Sequence, residues 1–335
     1  MKNSLRKILA AGAAIATASL LLSGCSGSGD DNADGGGEGN GELTTVSVAY
    51  NPYTGNTPMF YGMQEGVFAD HGIELELIPQ TDVAAIISGV ASGQYDIGFA
   101  TVVHVINANL NGIPIRAVAT PEGQQKDHEE PEEGNALVAG PDSGVSSPAD
   151  LAGKTLGVVG LSSLNTYAAL DMVDRDGGDA STVELVQLPF GQMTAALASG
   201  DIAAAVIQAP FTTEALGVGA EIIGKPNVET FPNMAVGLFT TSQQFIDANE
   251  ATVEAFSDAS IESQDLAREN MDEARKTLPE NLGLTEEAAA VAIWGTNNPH
   301  VNVEGFEKAQ ELLIKYGDQT KELDPAEMVW PGSLE

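Results

Sequence analysis

Four stretches of this chain place short hydroxyl and amide side chains where a strand is expected to hand over to a helix. They are Asn51 to Thr57, Ala100-Thr101, Gly160 to Asn165, and Gln208-Ala209-Pro210. Such turns leave backbone N–H groups unpaired, and the helix dipole adds partial positive charge there. Asn51, Tyr53, Thr57, Thr101, Ser162, Ser163, Asn165 and Gln208 are therefore the candidate ligand-binding residues. Two readings stay open. Thr101, Ser162, Ser163 and Asn165 can donate to an oxyanion, or they can simply cap helices. Tyr53, Phe60 and Tyr61 can wall an apolar or stacking site, or they can pack into a core.

Covalent chemistry finds no such support. Gly160-Leu161-Ser162-Ser163-Leu164 lacks the closing Gly of a nucleophile elbow. His128-Glu129-Glu130 lacks the second His of a zinc helix, and histidines 71, 104, 128 and 300 are scattered. Asp30, Asn32, Asp34 and Gly35 begin like a calcium loop, but Gly41 stands where the bidentate Glu is required. No cofactor or metal is expected. The one cysteine, Cys25, lies near the N-terminus.

Its surroundings are those of an export signal. Lys2, Arg6 and Lys7 precede an apolar run from Ile8 to Leu22, and Leu22-Ser23-Gly24 lead into the thiol. A charged start, a short apolar core and small residues at the cut are the marks of a signal peptide. Leu22-Ser23-Gly24-Cys25 also resembles a bacterial lipobox. The resemblance implies cleavage after residue 24, lipid on Cys25, and a protein anchored to the outer face of the cell membrane. Residues 25–41 are almost entirely Gly, Ser, Asp, Asn and Glu, the composition of a flexible leash.

The body of this 335-residue chain runs from about Glu42, long enough for two lobes. The whole chain has a formal charge of −34 with only 14 Lys and Arg, three of them in the leader. A balance this acidic argues against nucleic acid as a partner, because phosphate backbones demand basic patches. Strand and helix signals alternate from Val46 to Ile207, which predicts an α/β fold with parallel sheets flanked by helices. An acidic loop, Glu122 to Gly134, interrupts the alternation before it restarts. From Gln243 onward the spacing is helical, including Ala288 to Trp294 and Phe306 to Ile314. Val90-Ala91-Ser92-Gly93-Gln94-Tyr95-Asp96-Ile97-Gly98 and Leu197-Ala198-Ser199-Gly200-Asp201-Ile202-Ala203-Ala204-Ala205 echo each other as helix end, Gly stop and buried strand.

These residues carry a family resemblance. Thr57 to Phe68 with His71-Gly72-Ile73 resembles the opening of the nitrate/sulfonate/taurine and thiamine-precursor group of ABC-transporter solute-binding proteins. Gly93 to Gly98 resembles their Gly-x-x-Asp segment, Asp150 to Val158 their entry to the second lobe, and Ala195 to Ala205 with Ala209-Pro210-Phe211 a later segment in which Ala203 replaces the usual Asp. The resemblance implies a two-lobe periplasmic-binding-protein fold of type II. The lobes would be 42–135 with 241–335, and 136–240, with crossings near Ala136 to Ala139 and Met234 to Thr240. It also implies a small-molecule ligand between the lobes, and a permease with its ATPase as partners. The ligand would be an oxyanion such as nitrate, a sulfonate or taurine, or else a neutral pyrimidine-like ring. Enzymes that form pyrimidines or degrade thiamine share the architecture but need a cysteine that this body lacks, so a receptor without turnover is expected.

Overall fold

The computed structural model describes residues 43–123, 135–208, 211–231, 237–317 and 319–334. Cys25, the leash, the calcium-like motif, most of the acidic loop and Ala209-Pro210 lie outside the described residues.

Two five-stranded sheets carry the fold. The first has the order β2-β1-β3-β10-β4, from β1 (Thr44–Tyr50), β2 (Ile73–Pro79), β3 (Ile97–Ala100), β4 (Ile115–Ala119) and β10 (Leu238–Ser242). The second has the order β7-β6-β8-β5-β9, from β5 (Asn135–Ala139), β6 (Thr155–Val158), β7 (Glu184–Gln187), β8 (Ala204–Gln208) and β9 (Glu221–Gly224). Each sheet has a parallel trio, β2-β1-β3 and β7-β6-β8, followed by one antiparallel strand, β10 or β5. Those two strands are the first that the chain forms after leaving one sheet for the other. This repeated order is the type II arrangement of periplasmic binding proteins. β3, β5 and most of β8 are buried along their length, as parallel or central strands covered on both faces must be.

Helices follow the strands with local cues to match. In the first half these are α1 (Thr57–Glu65), α2 (Val67–Asp70), α3 (Val83–Ser92) and α4 (Val102–Leu110). Asp82 caps α3 by accepting from Ala84 N and Ala85 N. Around the second sheet lie α5 (Leu164–Arg175), α6 (Phe190–Ser199), α7 (Phe211–Gly217) and α8 (Pro226–Thr230). The echo between the halves is structural. Gly93 and Gly200 end α3 and α6 with φ of 74° and 76°, a left-handed conformation that only glycine adopts freely.

The C-terminal part is helical, as α9 (Gln243–Glu269), α10 (Met271–Arg275), α11 (Leu278–Leu282), α12 (Glu286–Ala290) and α13 (Val303–Tyr316). The helix expected over Ala288 to Trp294 is corrected. α12 stops at Ala290, and Trp294 lies in an irregular segment that packs against Tyr61 and Ala267 instead. α9 packs along α1, where Gly62 leaves no room for a side chain against Ser263. No helix among the described residues is long and apolar enough to cross a membrane.

α13 joins the two sheets' surroundings. It packs on α4 beside the first sheet and on α5 beside the second. Asp171 of α5 is only 4% exposed and meets Arg175 at 3.0 Å, Lys308 at 3.4 Å and Lys315 at 3.8 Å. Lys315 also meets Asp174 at 2.7 Å, and the Tyr316 hydroxyl donates to Asp174 at 2.6 Å. These bonds to Lys315 and Tyr316 hold the Asp174 carboxyl down at about 2. Three of the chain's few cations thus gather at one helix pair.

Candidate functional site

Every parallel strand of a sheet ends on the same edge, and there the chain turns into a helix N-terminus. On the first sheet that edge comprises the segments after β1, β3 and β4 and the one before antiparallel β10. Tyr53 belongs to the first of these. A short 3₁₀ turn, Thr54–Asn56, precedes α1, whose N-cap is Asn56. Thr57 is fully buried and its hydroxyl donates to Thr54 O at 2.6 Å. That correction removes Thr57 as an open donor, because its bonding is spent on closing the turn. Asn51 is half-buried and its amide reaches Thr81 O at 3.4 Å. Thr101 is the N-cap residue of α4, yet its hydroxyl makes no capping bond and meets His104 Nδ1 at 2.8 Å. Burial holds the His104 imidazole below its ordinary range, so the pair stays neutral at pH 7.

The residue that sequence reasoning missed is Glu122. In the sequence it heads the acidic loop Glu122 to Gly134. In the structure it is 2% exposed, directly beyond β4. Gly295 N donates to its Oε2 at 2.7 Å and the Tyr53 hydroxyl donates to its Oε1 at 3.2 Å. Burial pushes its carboxyl up to about 7, against the lowering effect of those two bonds. Burial, then the Glu122 charge, raises the Tyr53 phenol well above the ordinary tyrosine range. The Tyr53 ring meets Phe99 edge-on at 5.5 Å.

The surroundings are shaped to hold this pair. A side chain on Gly55 would strike the Tyr53 ring and Glu122, and one on Gly237 would strike Phe99 and the Tyr53 hydroxyl. Gly123 N donates to Gly295 O at 3.0 Å, and a side chain there would run into the Asn297 backbone. Thr120, also buried, donates to Pro299 O at 2.7 Å and its carbonyl accepts from Gln264. The irregular segment 294–300 is thereby fastened to the end of β4.

The second sheet's edge is more open. Ser163 caps α5, accepting from Thr166 N at 3.2 Å, and its hydroxyl also bonds that of Thr166. Ser162 is exposed, Asn165 half-buried and Gln208 exposed. Val159 and Leu161 are each 45% exposed in the β6–α5 turn, unusual for apolar residues of this size. Phe190 and Phe211, at the starts of α6 and α7, stack at 5.8 Å with planes 21° apart. Arg116, the one cation near a predicted strand end of the first lobe, lies at the opposite end of β4 and is bound to Asn109 Oδ1 at 2.9 Å. Among the described residues, the edge turns of the two sheets carry one cation, Lys225, the half-buried N-cap of α8 directly after β9. No His, Cys, Asp and Glu group able to hold a metal is found among the described residues.

Residues 53–274 match the family model described as NMT1/THI5 like. A formylaminopyrimidine-binding protein of Halalkalibacterium halodurans is 26% identical over 159 residues, which are 48% of this chain and 45% of that protein. A 4-amino-5-hydroxymethyl-2-methylpyrimidine phosphate synthase of Legionella pneumophila is 29% identical over 110 residues, 33% of this chain and 32% of that one. The matched stretch thus spans less than half the length of these curated relatives. Among solved structures, the periplasmic aliphatic sulphonate binding protein SsuA of Escherichia coli superposes with a TM-score of 0.67 at 15% identity, covering 87% of this chain and 98% of that one. At such identity the likeness is one of fold.

Proposed function

The chain belongs to the NMT1/THI5-like family, and on that premise we propose that it is the solute-binding lipoprotein of an ABC importer whose ligand is a small, uncharged, nitrogen-containing aromatic ring. Lipid on Cys25 tethers it outside the cytoplasm. The edges of its two sheets close on the solute by a hinge motion and deliver it to a permease driven by its ATPase.

Of the two ligand chemistries left open by the sequence, Glu122 favours the ring. A carboxyl buried behind Tyr53 repels an anion once ionised, and it supports hydrogen bonding to a polar ring edge. The exposed Val159 and Leu161, the Phe190–Phe211 stack and the Tyr53 ring offer flat apolar surface of the kind that rings occupy. The chain's −34 charge also opposes attraction of nitrate or a sulfonate.

The synthases among the relatives raise an enzymatic reading. The body has no cysteine, the group that the enzymes of this architecture need, so the proposal is capture without turnover. The test is a thermal-unfolding panel on residues 26–335 with aminopyrimidines, nitrate, taurine and alkanesulfonates. At a hundredfold excess over Kd, an aminopyrimidine should stabilise the protein by about 2.7 kcal/mol. Stabilisation by the anions instead would reverse the ligand assignment.

A further inference from the structure

Glu122 and Tyr53 form a two-member hydrogen-bond relay at the edge of the first sheet. Oε2 of Glu122 is fixed by a backbone N–H that can only donate, Gly295 N at 2.7 Å. Oε1 faces the Tyr53 hydroxyl, which can either donate or accept. The two states of the carboxyl therefore dictate two states of the phenol. An ionised Glu122 is acceptor-only, so the Tyr53 proton is committed to it and the phenol offers outward only lone pairs. A neutral Glu122 carries its proton on Oε1, because Oε2 is occupied by a donor. That proton goes to the Tyr53 oxygen, and the Tyr53 proton is released to point elsewhere.

We infer that Glu122 is a positioning residue for ligand capture, setting whether Tyr53 presents the ligand with a donor or with an acceptor. The inference rests on the ring reading above. A ring nitrogen is an acceptor, so it is held by the donor form, with Glu122 neutral. The packing keeps the relay to these two partners. Gly55 and Gly237 bring backbone against the pair where no side chain fits, and Phe99 covers the Tyr53 ring. Among the described residues, Tyr53 is the titratable group in contact with Glu122. The segment 294–300 contributes Gly295 N, Arg268 is held by Asp265 at 2.7 Å and by the Thr296 carbonyl, and Phe99 of β3 and Gly237 just before β10 complete the surroundings. With the carboxyl poised at about 7, the relay changes state near neutral pH.

Two variants separate the states. In Glu122→Gln the amide oxygen must face Gly295 N–H, so the amide N–H₂ donates to Tyr53 and locks the donor form at every pH. Tyr53→Phe deletes the relay and identifies the Tyr53 resonance. The first measurement needs no ligand: tyrosine labelled with ¹³C at Cζ, followed by NMR from pH 5 to 9. The Tyr53 resonance should shift with a midpoint near 7 in the wild type and stay flat in Glu122→Gln. A flat wild-type resonance, or a shift that survives in Glu122→Gln, overturns the relay.

The second measurement is the affinity of 4-amino-5-hydroxymethyl-2-methylpyrimidine across the same range. Wild-type affinity should fall about tenfold per pH unit above the midpoint, while Glu122→Gln holds the acid-side affinity. Any titration of the ring itself is common to both proteins and cancels in the comparison. Parallel profiles for the two proteins overturn the role in capture. If no ring binds at any pH while the resonance still titrates, the ring reading fails and the role in ring capture fails with it, but the relay itself stands.

Discussion

Replacing Glu122 by Gln should make the protein more stable at pH 8 and leave it unchanged near pH 4.5. The carboxyl has an ordinary value of 4.5 and is pushed up to about 7 by burial. The folded state therefore holds this proton more tightly than the unfolded chain does. Below about 4.5 both states are protonated and nothing is lost. As pH rises from 4.5 to 7 the unfolded chain releases the proton first, and stability falls. Above 7 the folded protein carries a buried charge whose cost is about 3 kcal/mol, at 1.36 kcal/mol for each tenfold change in proton affinity. Gln keeps the shape and both hydrogen-bond contacts but cannot ionise. Urea unfolding of residues 26–335 at pH 4.5, 6 and 8 measures the difference. It should be near zero at pH 4.5 and grow to between 1 and 3 kcal/mol at pH 8, on the order expected for a buried carboxyl. A difference that does not change with pH would refute the assignment of Glu122 as the strained ionisable group.

Two further expectations follow from other parts of the molecule. Cys25→Ala should release the protein to the soluble fraction and abolish incorporation of labelled fatty acid; equal labelling of wild type and variant would disprove lipidation at that residue. Asp171→Ala should cost about 2 kcal/mol by urea unfolding, less than the 3–5 kcal/mol for breaking a fully buried pair, because Arg175, Lys308 and Lys315 are 27–47% exposed and can return to water. A loss under about 0.5 kcal/mol would mean that α5 and α13 are joined by their apolar contacts alone.

The alternation of strands and helices was legible because its punctuation is local. Gly93 and Gly200 are needed for left-handed caps whatever the tertiary structure, and Asp82 and Ser163 sit at helix starts as their side chains require. The two-lobe type II arrangement was reached only through the family resemblance, and strand order was not reached at all, since pairing between residues as distant as Thr240 and Gly98 leaves no local trace. The candidate residues at the turns were legible by type only. Thr57 proved buried, and Ser163 is occupied by its own helix. Glu122 was hidden for a clear reason. It heads an acidic run, and its burial depends on segment 294–300, 170 and more residues away in the chain. The available clue was Glu122-Gly123 immediately after a buried strand, at the edge where ligands are expected, with a glycine that the Asn297 backbone makes necessary. The helical spacing of Ala288 to Trp294 concealed that segment further, because Trp294 keeps the helical interval beyond the end of α12 yet packs against Tyr61 and Ala267 from an irregular segment.

The account's central claim is capture of an uncharged ring without chemistry. It is tested most directly by incubating residues 26–335 with 4-amino-5-hydroxymethyl-2-methylpyrimidine, removing the free compound, denaturing the protein, and weighing what is released by mass spectrometry. The account predicts one molecule per chain with its mass unchanged, displaced by excess ring but not by nitrate or taurine. Release of a product of altered mass, or displacement by the anions, would contradict it.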